Sequence, residues 1–183
     1  MKRAKVGRVA VLAVVSAGFA TLTFGLNPVL REVRAHGERE DLASLQSFNF
    51  PKSYIRHRNG LGYITEIRSE LDRKDASWHL THGLANRDHV SFRSVNFPNA
   101  FLRHQEGRLK LHDFEDADLF RKDATFKRVN GLAEAGWVSF ESVNYPDCFI
   151  RHKYGELWVE KNDGTELFVK DATFRIVEPF YRP

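Results

Sequence analysis

Three polar sets recur along the chain, and each holds groups able to share protons with a ligand. Arg56-His57, Arg103-His104 and Arg151-His152 form one set, Asp75, Asp123 and Asp171 the second, and Asn49, Asn96 and Asn144 the third. The step from His to Asp is 19 residues for His104–Asp123 and His152–Asp171, and 18 for His57–Asp75. A recurring apolar residue needs only a core, whereas a recurring polar one needs a hydrogen-bonding reason. A carboxylate accepts hydroxyl protons in charge-assisted bonds and an imidazole gives or takes one more, a pairing suited to a polyol. Aromatic residues nearby would cover the apolar face of a sugar ring. The plainer alternative is that each Asp pairs with the adjacent Arg or Lys and pins strand to hairpin, a surface ion pair of small energetic worth. The asparagines sit in N-F-P and N-Y-P turns, where an Asn side chain caps backbone, so they read as structural.

These sets are carried by a repeat. SLQSFNFPKSYIRH at residues 44–57 returns as SFRSVNFPNAFLRH at 91–104 and SFESVNYPDCFIRH at 139–152, with offsets of 47 and 48 residues. A second string, LDRKDASW at 71–78, returns as LFRKDATF at 119–126 and LFVKDATF at 167–174. Within each copy the alternation is that of short strands, with turns at Asn59-Gly60, Glu106-Gly107 and Gly155. No segment sustains a 3.6-residue apolar period, so helix is minor. About four strands per copy, too few to fold alone, predict an all-β protein, a β-trefoil of three repeats (44–90, 91–138, 139–183) closed around a shared core. The positions Val95/Val143, Leu102/Ile150, Leu109/Leu157, Leu119/Leu167 and Phe126/Phe174 are the expected core. Copy one is irregular, with Asp72 where the others have Phe120 and Phe168, and Trp78 for Phe126 and Phe174.

The formal charge of +4 would point to a nucleic-acid partner if it were spread over the chain, but it is not. Lys2, Arg3, Lys5, Arg8, Arg31 and Arg34 against Glu32 give residues 1–35 a charge of +5, which leaves −1 for the remainder. A nucleic-acid partner is therefore excluded. Residues 1–8 are cationic and 9–26 carry no charge, so 1–35 read as a signal peptide or as an uncleaved membrane anchor helix. The four leading cations keep the N-terminus inside, so the domain at 36–183 is expected to be secreted or to face outward on the membrane. Its only membrane contact would be that segment. A hydrophobic fraction of 42% excludes general disorder. The single cysteine, Cys148, excludes an internal disulfide and a CxxC zinc site.

The linked strings SFESVNYP-x-x-FIRH, ND-G-x-x-LF and DATF closely resemble the arabinofuranose-binding domain of family B α-L-arabinofuranosidases, carbohydrate-binding module family 42, over about residues 44–177. The resemblance implies a β-trefoil whose subdomains each hold a terminal L-arabinofuranosyl side chain of arabinoxylan or arabinan. It assigns sugar binding to the RH histidine and the DATF aspartate: His104 with Asp123, His152 with Asp171, and more weakly His57 with Asp75, where DASW replaces DATF. The aromatic residue that the family often has after RH is replaced by Arg58, Gln105 and Lys153, with Tyr154 one position further on.

Glycoside hydrolysis needs two carboxylates flanking one bond, whereas these aspartates belong to separate copies. No G-x-S-x-G nucleophile elbow is present, and the histidines lack metal-ligand spacing. The expectation is a monomeric, non-catalytic binding module that uses no cofactor or metal. Two other readings stay open: a protein-binding trefoil with vestigial sugar pockets, and a true α-L-arabinofuranosidase, the activity linked to the family in L-arabinose metabolism.

Overall fold

The computed structural model describes residues 41–183. The segment read as signal peptide or anchor, residues 1–35, lies outside the described residues. Among the described residues no helix is long and apolar enough to cross a membrane. The first sequence unit forms β1 (Asp41–Ser47), β2 (Tyr54–Arg58), β3 (Leu61–Thr65), the helix α1 (Glu70–Asp75) and β4 (Trp78–His82). The second forms β5 (Val90–Ser94), β6 (Ala100–Gln105), β7 (Arg108–Asp113), α2 (Asp118–Asp123) and β8 (Phe126–Asn130). The third forms β9 (Val138–Ser142), β10 (Cys148–Lys153), β11 (Glu156–Lys161), α3 (Glu166–Asp171) and β12 (Phe174–Val177).

All twelve strands belong to one sheet. Antiparallel pairs β1–β4, β4–β5, β5–β8, β8–β9, β9–β12 and β12–β1 form an uninterrupted ring, so the sheet closes on itself as a barrel. This pairing corrects the expected β-trefoil of three repeats: the protein is all-β as expected, but a closed barrel rather than three subdomains. The physical reason is that each sequence unit pairs its outer strands with its neighbours' strands. Closure leaves no free edge in the ring for another chain to extend.

Alternation sends one side of every strand inward. Leu45, Phe92 and Phe140, with Trp78, Phe126 and Phe174, are fully buried, and so are Ile55, Leu102, Ile150, Leu109 and Leu157. Trp78 fills its phenylalanine-like place because its indole N–H donates to the Ile55 carbonyl at 3.2 Å, which satisfies the one polar atom a phenyl lacks. The expectation that Leu119 and Leu167 join the core is corrected. They are 61% and 63% exposed, while the adjacent Phe120 and Phe168 are buried. The approach to DATF is a short helix, so a one-residue step along it moves a side chain from the core to the surface.

The hairpins β2–β3, β6–β7 and β10–β11 turn through paired left-handed residues. Asn59 and Gly60 have φ of 52° and 74°, Glu106 and Gly107 54° and 77°, and Tyr154 and Gly155 56° and 81°. Two successive positive φ values match the right-handed strand twist, and glycine takes the second at no steric cost. Where the three hairpins meet, the Arg108 guanidinium donates through Nη1 to the carbonyls of Gly62 (2.7 Å), Leu109 (3.1 Å) and Leu157 (2.6 Å). It lies over the rings of Tyr63 and Trp158 at 5.0 and 5.4 Å. One buried cation therefore ties together strands from all three sequence units.

Candidate functional site

Each aspartate of the second recurring set is the last residue of a six-residue helix. Ser69 starts α1 with a capping box to Asp72, and Thr165 caps α3 by accepting from the Phe168 N–H. The alanines that follow, Ala76, Ala124 and Ala172, are fully buried, so the chain turns tightly from helix to strand and Asp is held beneath the surface at 4% exposure in all three cases. A carboxylate at a helix C-terminus is opposed by the helix dipole and needs a cation. The RH arginines supply it: Arg56, Arg103 and Arg151 donate through Nη2 to Oδ2 of Asp75, Asp123 and Asp171 at 2.6, 2.6 and 2.5 Å. The ion pair foreseen as a surface clamp is thus a buried one.

The histidines meet the other carboxylate oxygen. Nε2 of His57, His104 and His152 lies 3.5, 3.5 and 3.4 Å from Oδ1 of Asp75, Asp123 and Asp171. The structure therefore brings together all three sequence-derived His/Asp pairs, including His57 with Asp75. It also adds a partner read from sequence as structural: Nδ2 of Asn96, Asn144 and Asn49 donates to the same Oδ1 at 2.8, 2.8 and 2.7 Å. Oδ1 of these asparagines faces the histidine Nε2 at 3.0, 3.1 and 2.8 Å. Ser94, Ser142 and Ser47 complete the cluster, their hydroxyls donating to Asn Oδ1 at 2.9, 2.9 and 3.2 Å. In every site His and Asp come from one sequence unit and Asn and Ser from the next. The third is completed by β1 and the turn after it.

Burial pushes the three imidazoles below their ordinary pKa, against the pull of the neighbouring aspartates. They are therefore neutral at neutral pH. The asparagine and carboxylate oxygens facing Nε2 are acceptors, which places the ring proton on that nitrogen. With Arg on Oδ2 and Asn on Oδ1, each carboxylate retains unused lone pairs for further donors.

An aromatic ring edges each site, from the residue after the asparagine. Phe97, Tyr145 and Phe50 stand edge-on to His57, His104 and His152 at 5.4, 5.2 and 5.2 Å, and remain 52%, 53% and 53% exposed. Tyr154, the aromatic nearest the RH motif in sequence, is 98% exposed, and its ring has no such partner among the described contacts. Leu71, the counterpart of Leu119 and Leu167, lines the first site beside Phe97 in a cleft of about 660 Å³ that also takes in His57 and Asp75.

The first site differs beneath this common cluster. In the other two, the guanidinium lies over a phenyl ring, Arg103 on Phe120 at 5.2 Å and Arg151 on Phe168 at 4.9 Å. In the first, Asp72 replaces the phenyl and forms a second ion pair with Arg56. Burial raises the Asp72 pKa, but the Arg68 backbone N–H and the Arg56 guanidinium outweigh it and hold this carboxyl below the usual range. The substitution replaces a cation–π contact by an ion pair and leaves the His/Asp/Asn geometry unchanged.

A buried carboxylate, a neutral imidazole and an amide beside an exposed aromatic edge are groups suited to an uncharged polar solute. The chain matches the alpha-L-arabinofuranosidase B (ABFB) domain over residues 33–79 and 43–176, and it belongs to that family. It is similar to a GH54 α-L-arabinofuranosidase soaked with a cyclic sulfate inhibitor, with 27% identity and a TM-score of 0.71 over 78% of this chain and 32% of that one. It is equally similar to an arabinofuranosidase complexed with arabinofuranosyl-α-1,2-xylobiose, with 27% identity and a TM-score of 0.71 over 77% and 31% of the two chains. The protein SeviL bound to asialo-GM1 saccharide shares the fold at 10% identity and a TM-score of 0.57, over 75% of this chain and 96% of that one. The chain thus spans about a third of the length of the arabinofuranosidases. No curated protein matches it.

Proposed function

We propose that this protein is a non-catalytic arabinofuranose-binding module, of the kind grouped as carbohydrate-binding module family 42, that grips terminal L-arabinofuranosyl branches of arabinoxylan or arabinan. The observation that carries the reading is the His/Asp/Asn cluster with an exposed aromatic edge, built three times with the same contacts. His57/Asp75, His104/Asp123 and His152/Asp171 are the proposed sugar ligands, joined by Asn96, Asn144 and Asn49. Membership of the ABFB domain family and similarity to the arabinofuranosyl-xylobiose complex support the sugar class.

The chemistry of the pockets favours binding over hydrolysis. A glycosidase needs a protonated acid beside a carboxylate nucleophile or base. Each site has one aspartate locked to an arginine; Asp72 and Asp113 also line the first cleft, where Arg56 holds Asp72 ionised with no proton to donate. A monosaccharide offers few atoms, so each pocket binds weakly, on the order of millimolar to tens of micromolar, and occupancy of several pockets on one branched polymer raises retention. Export through residues 1–35, cleaved or kept as an anchor, is part of the proposal and would place the domain at residues 36–183 outside the cell, where such polymers occur.

Affinity electrophoresis tests the reading. Migration slows in gels containing arabinoxylan and is unchanged by debranched xylan; equal mobility in both gels would overturn it. Release of arabinose from arabinoxylan would overturn the non-catalytic part.

A further inference from the structure

The cleft at His57 and Asp75 does not end at its rim. A second, shallower cleft of about 540 Å³ lies on the far side of the turn after β5, lined by Leu84, Arg93, Pro98, Asn99, Phe101 and Phe114. Asp113 lines both clefts. The turn divides them residue by residue: Phe97 and Ala100 face the first, Pro98 and Asn99 the second. The wall between the clefts is therefore one turn and one carboxylate thick.

The second cleft has the composition of a sugar subsite. Phe114 is 41% exposed, yet its ring is fixed by edge contacts with Phe101 and Phe120, centroids 6.2 and 5.7 Å away, and by the Arg121 guanidinium, which lies over the ring at 5.2 Å. The Phe114 backbone N–H donates to the Asn99 carbonyl at 2.8 Å, which ties its backbone to the dividing turn. A fixed, half-exposed phenyl beside carboxylate, amide and guanidinium groups offers one surface for the apolar face of a pyranose and several partners for its hydroxyls. Ten residues after the RH histidine, the other two sequence units carry Ile67 and Asn162 in place of Phe114, so the aromatic floor belongs to this position alone.

Building on the proposed function, we infer that this second cleft is a subsite for the main-chain pyranose that carries the arabinofuranosyl branch seated at His57 and Asp75. The first pocket then reads a branch together with its attachment point, whereas the other two read the branch alone.

Two probes separate this inference from the reading on which it rests. Binding of methyl α-L-arabinofuranoside and of arabinofuranosyl-α-1,2-xylobiose is followed by amide NMR on the full chain and on Phe114→Ala. In the unsubstituted protein the xylobiose conjugate shifts the Leu84, Asn99 and Phe114 signals, and the methyl glycoside shifts only the first cleft. Phe114→Ala weakens binding of the conjugate at the first pocket about 3- to 10-fold and leaves the methyl glycoside unchanged. If both ligands bind the unsubstituted protein alike and leave Leu84, Asn99 and Phe114 unmoved, the subsite is refuted while the arabinofuranose reading stands, and this readout needs no variant to fold. If the methyl glycoside fails to bind at all, the proposed function falls and the subsite with it.

Discussion

Replacing Asp123 by alanine removes a carboxylate that holds three partners at once. Arg103 Nη2 at 2.6 Å loses its counter-ion, Asn144 Nδ2 at 2.8 Å loses its acceptor, and His104 Nε2 at 3.5 Å loses the charge that opposes its desolvation. Arg103 is only 8% exposed, so it cannot turn to water without disturbing the hairpin. Breaking a buried pair from one side costs about 3–5 kcal/mol, a large share of the total stability of about 10 kcal/mol for a domain of this length. Chemical denaturation followed by tryptophan fluorescence measures the loss. The double change Asp123→Ala with Arg103→Met removes the stranded charge and keeps an aliphatic chain on Phe120, so it recovers most of that stability. Arabinofuranoside binding at this pocket stays lost in both variants. A single variant that costs less than about 1 kcal/mol, or a double variant no more stable than the single, would show that the arginine is not held by this carboxylate.

Other consequences follow from the same contacts. Asn144→Ala removes the amide bridging His104 and Asp123, and is expected to abolish binding at that pocket alone, at a stability cost of about 1–2 kcal/mol, read from residue-resolved NMR titration. Asp72→Ala frees the Arg68 and Ser69 N–H groups it caps and removes one of the two Arg56 ion pairs, with an expected loss of about 1–3 kcal/mol by urea unfolding. Stability should also fall with acid. Histidines whose folded pKa is lowered by burial bind protons more readily when unfolded, so their contribution is complete above the unfolded value of about 6.5 and is lost as pH drops from there towards the folded values. Each gives a slope of at most about 1.4 kcal/mol per pH unit. Urea midpoints at pH 7.5 and 5.5 check the sign, and a midpoint that is level or higher at pH 5.5 contradicts it.

The all-β class, the hairpin turns and the His/Asp pairing were legible because they rest on local signals: alternation, Asn-Gly and Glu-Gly turns, and a fixed step of 18 or 19 residues. The closed barrel was not, because its closure depends on pairings such as β1 with β12, which join the two ends of the described chain. The asparagines' part in the site is hidden for a related reason. Asn96 lies 39 residues from His57, and nothing in an N-F-P turn reports that its side chain reaches into a neighbouring sequence unit. The signal that could have found them was present all the same, since a polar residue recurring with His and Asp at the same period has the same claim to a shared site. The aromatic edge is hidden because the aromatic nearest RH in the sequence is Tyr154, whereas the rings that meet the histidines follow the asparagines. Leu119 and Leu167 show the limit of recurrence itself, because an exposed residue repeats as faithfully as a core residue.

If the His/Asp/Asn clusters are the arabinofuranose pockets, the sugar alone must perturb all three. A titration of the full chain with methyl α-L-arabinofuranoside, followed by amide NMR, tests it most directly. Saturable shifts are expected at Phe97, Tyr145 and Phe50 and at the neighbouring asparagines, with affinities on the order of millimolar to tens of micromolar. An absence of shifts, or shifts confined to surfaces away from these residues, would contradict it.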